Sequence, residues 1–136
     1  MRRVLPIALL LLAVATAEPA GSAVEPTGFA FGRLGGNIRP YRVTIANSGV
    51  VGTSGAVTVR RMMLTAAQLV TLNRIAVETA FEKMPTATNC PRTLPDIAST
   101  YVRVGPRTVR VHGNCVPGYA RMWKALVAAV RMNNYY

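Results

Sequence analysis

Residues 89–115 read NCPRTLPDIASTYVRVGPRTVRVHGNC and predict a β-hairpin held between two cysteines. On both sides of Gly105-Pro106, apolar and polar residues alternate with the period of two that is typical of a strand. The apolar positions are Val102, Val104, Val109 and Val111, and the polar positions are Tyr101, Arg103, Thr108, Arg110 and His112. Because Gly-Pro favours a turn, the two segments are predicted to pair as neighbours.

Upstream of this hairpin, residues 28–61 predict a three-stranded antiparallel meander. Its strand candidates are GFAFGRL, PYRVTIAN and GAVTVRR, and Asn47-Ser48-Gly49 supplies a turn between the second and the third. In the third candidate, Val57 and Val59 alternate with Thr58 and Arg60.

Two amphipathic helices are predicted to cover the sheet. Thr65 and Gln68 form a capping-box pattern, Leu64 and Leu69 a hydrophobic staple, and Pro85 is the expected end of this first helix. Its predicted apolar stripe is Leu69, Leu72, Ala76, Val77, Ala80, Phe81 and Met84. The second helix begins at Pro117-Gly118, with the stripe Tyr119, Met122, Trp123, Leu126 and Val130. The order βββαββα predicts an α+β fold, with both helices on one face of an antiparallel sheet.

The N-terminus predicts export. Residues 1–17 combine two arginines, an apolar run and a small-residue cleavage pattern, as a signal peptide does; cleavage after Ala23 is the second choice. The apolar run is too short for a typical membrane span, although a retained N-terminal anchor is the alternative. Residues 18–27 are expected to form a flexible lead-in, residues 28–132 one domain and residues 133–136 a tail. The mature chain is therefore expected to be secreted or held in the cell envelope, without a transmembrane span.

The charge of the mature chain favours anionic partners. Without Arg2 and Arg3, 14 basic and 5 acidic residues remain, which gives a net charge of +9. Such a charge suits an acidic protein, an envelope polymer, lipid head groups or nucleic acid.

The two cysteines are predicted to form a structural disulfide, Cys90–Cys115. A bridge there would enclose 24 residues, and loop closure of that size stabilises a fold by roughly 3.5 kcal/mol. A zinc site lacks ligands, because His112 and Cys115 supply at most two local ones. A cysteine nucleophile activated by His112 would require a free thiol. Asp96 has no second carboxylate near it in sequence, so we predict no catalytic residues, metal or cofactor, and no enzyme.

Period two places a basic set on the sheet face that points away from the helices. The candidate binding residues on this face are Arg42, Arg60, Tyr101, Arg103, Arg110 and His112. No acidic residue interrupts the set, and guanidinium groups suit carboxylates and phosphates. The alternative is that this face is simply the solvated side of a half-buried sheet. Nucleic acid is disfavoured, since Tyr101 is the one aromatic residue available for stacking.

The stretch FGRLGG is followed by the PYRVTIANSGVV hairpin, the capped LTAAQLVTL helix, a second hairpin and a closing helix. This order resembles that of small bacterial proteins related to emfourin, a protein inhibitor of thermolysin-like metallopeptidases. It also resembles small exported bacterial domains of unknown function. The resemblance covers about residues 28–131. It implies a non-catalytic protein-binding module, and it adds the Gly35-Gly36 turn as a candidate contact. The expected function is therefore an exported binding module, in its finer form an inhibitor of a secreted peptidase. The alternative is a cationic envelope protein that binds anionic polymer or lipid.

Overall fold

The computed structural model describes residues 28–133 of the chain, so the predicted signal peptide and lead-in (1–27) and residues 134–136 lie outside the described residues. One six-stranded, mostly antiparallel sheet has the strand order β3-β2-β1-β5-β6-β4. Its strands are β1 (Phe29–Leu34), β2 (Tyr41–Ile45), β3 (Val51–Gly55), β4 (Ala87–Asn89), β5 (Ser99–Val104) and β6 (Arg107–His112). The helices are α1 (Ala66–Glu78) and α2 (Pro117–Val130), with a 3-10 turn at Phe81–Lys83. The predicted α+β class and the order βββαββα are confirmed, and the short strand β4 is an addition that the sequence did not indicate.

The face of the sheet that carries the helices, called the inner face below, holds the core. Its strand residues include Phe29, Phe31, Val43, Ile45, Val102, Val109 and Val111, all at most 3% exposed. Helix α2 lies on them through Tyr119, Met122, Leu126 and Val130, which are also buried. The ring of Trp123 meets the ring of Phe31 edge-on, with 5.4 Å between centroids. The predicted inward direction of the valines is thus confirmed for both hairpin strands, β5 and β6.

Helix α1 begins as predicted and ends earlier than predicted. The Thr65 side chain accepts from the Gln68 backbone N–H, and the Gln68 side chain accepts from the Thr65 N–H, which completes the capping box. The helix ends at Glu78, because Ala80 adopts a left-handed conformation (φ 50°). The expectation that it continues to Pro85 was wrong. Val77 is 80% exposed, so its place in the apolar stripe was also wrong.

The third strand is not GAVTVRR, and this expectation was wrong. The turn after β2 is so tight that pairing resumes at Val51 opposite Ile45, and Gly55, at a φ of 79°, ends the strand. Residues 57–61 instead run along the C-terminal end of α2. The Arg60 and Arg61 N–H groups donate to the carbonyl oxygens of Arg131 and Val130 at 3.2 and 3.0 Å. The residues do alternate, but their backbone pairs with the end of a helix, where the last carbonyl groups have no partner within the helix.

The disulfide Cys90–Cys115 is present, with an S–S distance of 2.05 Å. It joins the segment after β4 to the segment after β6, and β4 pairs parallel to β6 beside it. Since both cysteines of the chain are in this bridge, the alternative of a Cys115 thiolate activated by His112 is overturned. Among residues 28–133, no helix has the length and apolar character needed to cross a membrane.

Candidate binding surface on the outer sheet face

The face opposite the helices, called the outer face below, consists of short rows of side chains that cross the strands. The strand register places Ser54, Arg42, Gly32, Tyr101 and Arg110 side by side in one row. The next row is Gly52, Thr44, Ala30, Arg103 and Thr108. Neighbouring strands lie about 4.8 Å apart, so adjacent members of a row lie close enough to contact the same ligand.

Small residues line the middle of both rows. Ala30 and Gly32 belong to the central strand β1, and Gly28 continues the same face one step earlier. A Cβ atom on Gly32 would collide with the Tyr41 carbonyl oxygen and would lie 2.9 Å from the Tyr101 phenol oxygen. The ring of Tyr101 therefore leans over β1, and only glycine permits this approach.

The result is a shallow depression of about 650 Å³ in the outer face. Ala30 is 1% exposed and lies at its bottom. Arg42 and Ser54 come from one side of β1, and Tyr101, Arg103, Thr108 and Arg110 come from the other. The depression has basic walls and a small apolar floor.

The electrostatics of the depression centre on Tyr101. Burial raises the pKa of the Tyr101 phenol above its ordinary value of 10.0, while the positive charges of Arg42 and Arg103 oppose that rise. Both guanidinium groups are therefore close enough to the phenol oxygen to act on it. Because the phenol stays protonated at neutral pH, it can donate a hydrogen bond beside two cations.

No carboxylate neutralises these arginines within residues 28–133. The ion pairs of this part of the chain are those of Glu78 with Arg74 and Arg121, away from the sheet. Arg42 and Arg103 are exposed, and Arg110 is half-buried, with its Nη1 donating to the Ser99 hydroxyl at 3.1 Å. A carboxylate that pairs with these guanidinium groups would therefore come from outside residues 28–133.

The other sequence-predicted site residues lie elsewhere. Arg60 was expected on the outer face, and this was wrong, because its segment runs along the end of α2 rather than in the sheet. Thr58 is displaced with it. His112 lies at the margin of the outer face, and its Nε2 donates to the Ile97 carbonyl oxygen at 2.9 Å. That nitrogen is therefore part of a loop contact.

The Gly35-Gly36 turn joins β1 to β2 at one end of the sheet. Both glycines have positive φ values, 68° and 65°, as a turn of this kind requires. At Gly36, a Cβ atom would lie 2.6 Å from the Asp96 carbonyl oxygen and from the Ala98 nitrogen. The turn is thus confirmed, and it rests on the loop before β5 rather than on the outer face.

Sequence reasoning missed the residues that shape the depression. GFAFGRL was interpreted as a strand interrupted by glycine, whereas Gly28, Ala30 and Gly32 repeat at every second position and so share one face. That spacing is a signal of a close approach across a sheet. It could have indicated the floor, although not which side chain covers it.

Comparison with known proteins gave no match to a family model, a curated protein or a solved structure. Within the described part of the chain, no group of three or more His, Cys, Asp or Glu side chains is arranged to hold a metal ion.

Proposed function

We propose that this protein is an exported, non-enzymatic binding module, and that its outer face binds an acidic protein partner. The observation that carries the proposal is the depression in which Arg42, Arg103 and Arg110 surround Tyr101 over the small residues of β1. Arginine and tyrosine are enriched in protein interfaces, where tyrosine adds contact area and arginine adds directional hydrogen bonds.

The shape of the depression supports a protein partner. A floor at Ala30 between raised walls accommodates a protruding side chain or loop, and the protonated Tyr101 phenol can donate to a carboxylate there. Inhibition of a secreted peptidase is the finer form of the proposal, and it rests on the resemblance to emfourin and on the Gly35-Gly36 turn.

The charge supports a second candidate, binding of an anionic envelope polymer or lipid. Residues 28–133 carry 14 basic and 3 acidic side chains. A polyanion would bind through many exposed arginines, including those away from the outer face. Its affinity would fall steeply with added salt, since counterion release dominates such binding.

A triple variant tests the outer face. R42S/R103S/R110S removes the three guanidinium groups, and R60S is the matched control because Arg60 is exposed but lies off the face. Immobilised mature protein would be incubated with culture supernatant and envelope extract at about 50 mM and about 500 mM NaCl. Wild type and R60S should retain the same acidic protein, whereas the triple variant should lose it.

Two results would contradict the proposal. Retention of the partner by the triple variant would exclude the outer face as the binding surface. The polyanion would be favoured if R60S and each of the single variants R42S, R103S and R110S retained the partner equally poorly, and if nothing were captured at the higher salt. A peptidase assay on any captured partner then decides whether binding inhibits it.

A further inference from the structure

A second concave site lies at one end of the molecule, away from the three outer-face arginines. It is a cleft of about 580 Å³ between the turn after β1 and the loop that precedes β5. Its lining residues include Arg33, Ile38, Arg92, Leu94, Asp96 and Ile97. None of the three outer-face arginines contributes to it, so it is a separate site.

The cleft has an apolar rim. Ile38, Leu94 and Ile97 are 38%, 62% and 49% exposed, which is unusual for aliphatic side chains that converge on one concavity. Exposed apolar clusters beside polar groups mark binding surfaces. A ligand with a branched aliphatic group would bury all three.

Two guanidinium groups lie in the same cleft. Arg33 is on the inner face at the end of β1, opposite Tyr41 and Thr100. Its Nε is buried and has no hydrogen-bond partner. Because this Nε atom is buried, a carboxylate in the cleft would be attracted by the positive charge of the Arg33 guanidinium group rather than by a hydrogen bond to Nε. Arg92 adds a second cation from the loop, at a left-handed φ of 60°.

The loop that forms the cleft is held at several points. The disulfide fixes Cys90 to Cys115, and Thr93 packs directly on Gly113. The Asp96 carbonyl oxygen accepts from the Asn37 N–H at 3.1 Å, while that of Ile97 accepts from His112. Because these contacts order the loop before any ligand arrives, binding would cost little conformational entropy.

We propose that this cleft binds the carboxyl terminus of a polypeptide that ends in an aliphatic residue. Such a residue carries its carboxylate and its apolar side chain on one α-carbon, so the arginines and the aliphatic rim engage it together. Asp96 forms no ion pair among the described residues, and its carboxylate can accept from peptide N–H groups. The cleft offers further hydrogen-bonding groups for the peptide backbone of such a ligand, at Asn37, Thr93 and Asn114. A fatty acid has no peptide groups that could use them.

The probe is a fluorescein-labelled hexapeptide of glycine and serine that ends in two leucines, with fluorescence anisotropy as the readout. The free acid should bind the full mature protein, and the same peptide with a C-terminal amide should bind about tenfold more weakly or worse. A peptide with a terminal serine should lose a similar factor, because the aliphatic contact is removed.

Variants localise the site. L94S should weaken binding about tenfold through the rim, and R92N should weaken it several-fold while asparagine tolerates the left-handed backbone. R33Q removes the positive charge of this half-buried side chain and keeps most of its aliphatic part. Circular dichroism and the unfolding midpoint would verify that the variant folds. R103S, on the outer face, should leave peptide affinity unchanged.

Several outcomes would overturn the proposal. The first is equal affinity for the peptide acid and the peptide amide, and the second is an unchanged affinity in L94S. The third is no binding at a peptide concentration of about 1 mM, which as a dissociation constant corresponds to a binding free energy of about −4 kcal/mol. A further such outcome is displacement of the labelled hexapeptide by decanoate at the concentration at which the unlabelled peptide displaces it. This would show that a lipid carboxylate is sufficient for binding. The outer-face triple variant should bind the peptide normally, so this proposal and the proposed function fail independently.

Discussion

The two faces of the sheet have the same strands and opposite chemistry. On the inner face, Phe31 and Val102 are fully buried beneath α2. On the outer face, the intervening residues Gly32 and Tyr101 lie beside Arg42 and Arg110. Period two separates the two sets, and the helices decide which of them is buried. The comparison teaches that the inner face should determine stability and the outer face recognition.

The largest expected effect on stability comes from the centre of the inner face. Phe31→Ala removes a ring that is 0% exposed and stacks edge-on with Trp123. The free energy of unfolding should fall by about 3–5 kcal/mol, measured by urea denaturation. Phe31→Leu is the control that keeps a large apolar side chain, and it should lose much less. A loss below about 1 kcal/mol for the alanine variant would mean that the inner face does not carry the fold.

The second effect concerns the cross-link at the edge of the sheet. C90A/C115A should lower the free energy of unfolding by roughly 3.5 kcal/mol, because the unfolded chain regains the entropy of the loop that the bridge closes. The same variant should weaken binding of the hexapeptide more than binding at the outer face, because the loop 90–98 is anchored by this bridge. Unchanged stability would show that the hairpin alone holds its flanks together. A thiol assay on denatured wild-type protein verifies the bridge itself.

A third effect distinguishes a tyrosine on the inner face from one on the outer face. The Tyr119 phenol donates to the Thr100 hydroxyl at 2.9 Å. Burial raises its pKa far above 10.0. Tyr119→Phe should cost about 1 kcal/mol at neutral pH.

The pH dependence of that variant has a definite sign. Because the phenol pKa is higher in the folded protein, the unfolded chain loses this proton first, and stability present below about pH 10 is lost as pH rises further. Tyr119→Phe should therefore flatten the decline in unfolding free energy above about pH 10. Tyr101→Phe should flatten it less, since Arg42 and Arg103 oppose its shift. Equal slopes for wild type and Tyr119→Phe would contradict the buried position of this phenol.

The smallest effect on stability is expected on the outer face. R42S/R103S/R110S should change the free energy of unfolding by no more than about 0.5 kcal/mol, because these arginines form no ion pair within residues 28–133. The measurement is urea denaturation beside R60S. A large loss in the triple variant would show that the arginines cover the sheet as structural groups and would weaken their assignment to recognition.

The comparison also explains which sequence-based predictions succeeded. The hairpin β5–β6, the capping box at Thr65 and the apolar stripe of α2 each depend on residues close in sequence, so their patterns were sufficient. GAVTVRR has an equally clear alternation, yet its backbone pairs with the end of α2, about 70 residues away. An alternating pattern states which residues share a side; it does not state what pairs with them.

The sequence by itself determined the class of the fold, the two-residue period that separates valines from arginines, and the two cysteines that flank the hairpin. Only the tertiary structure decided that β1 lies at the centre of the sheet, so that Gly32 meets Tyr101 and Arg42 on adjacent strands. It also removed Arg60 from the outer face and brought Arg33 and Leu94 to one cleft. The physical reason is that strand order and loop docking depend on contacts between distant segments, which compete for the same backbone hydrogen bonds and the same buried area.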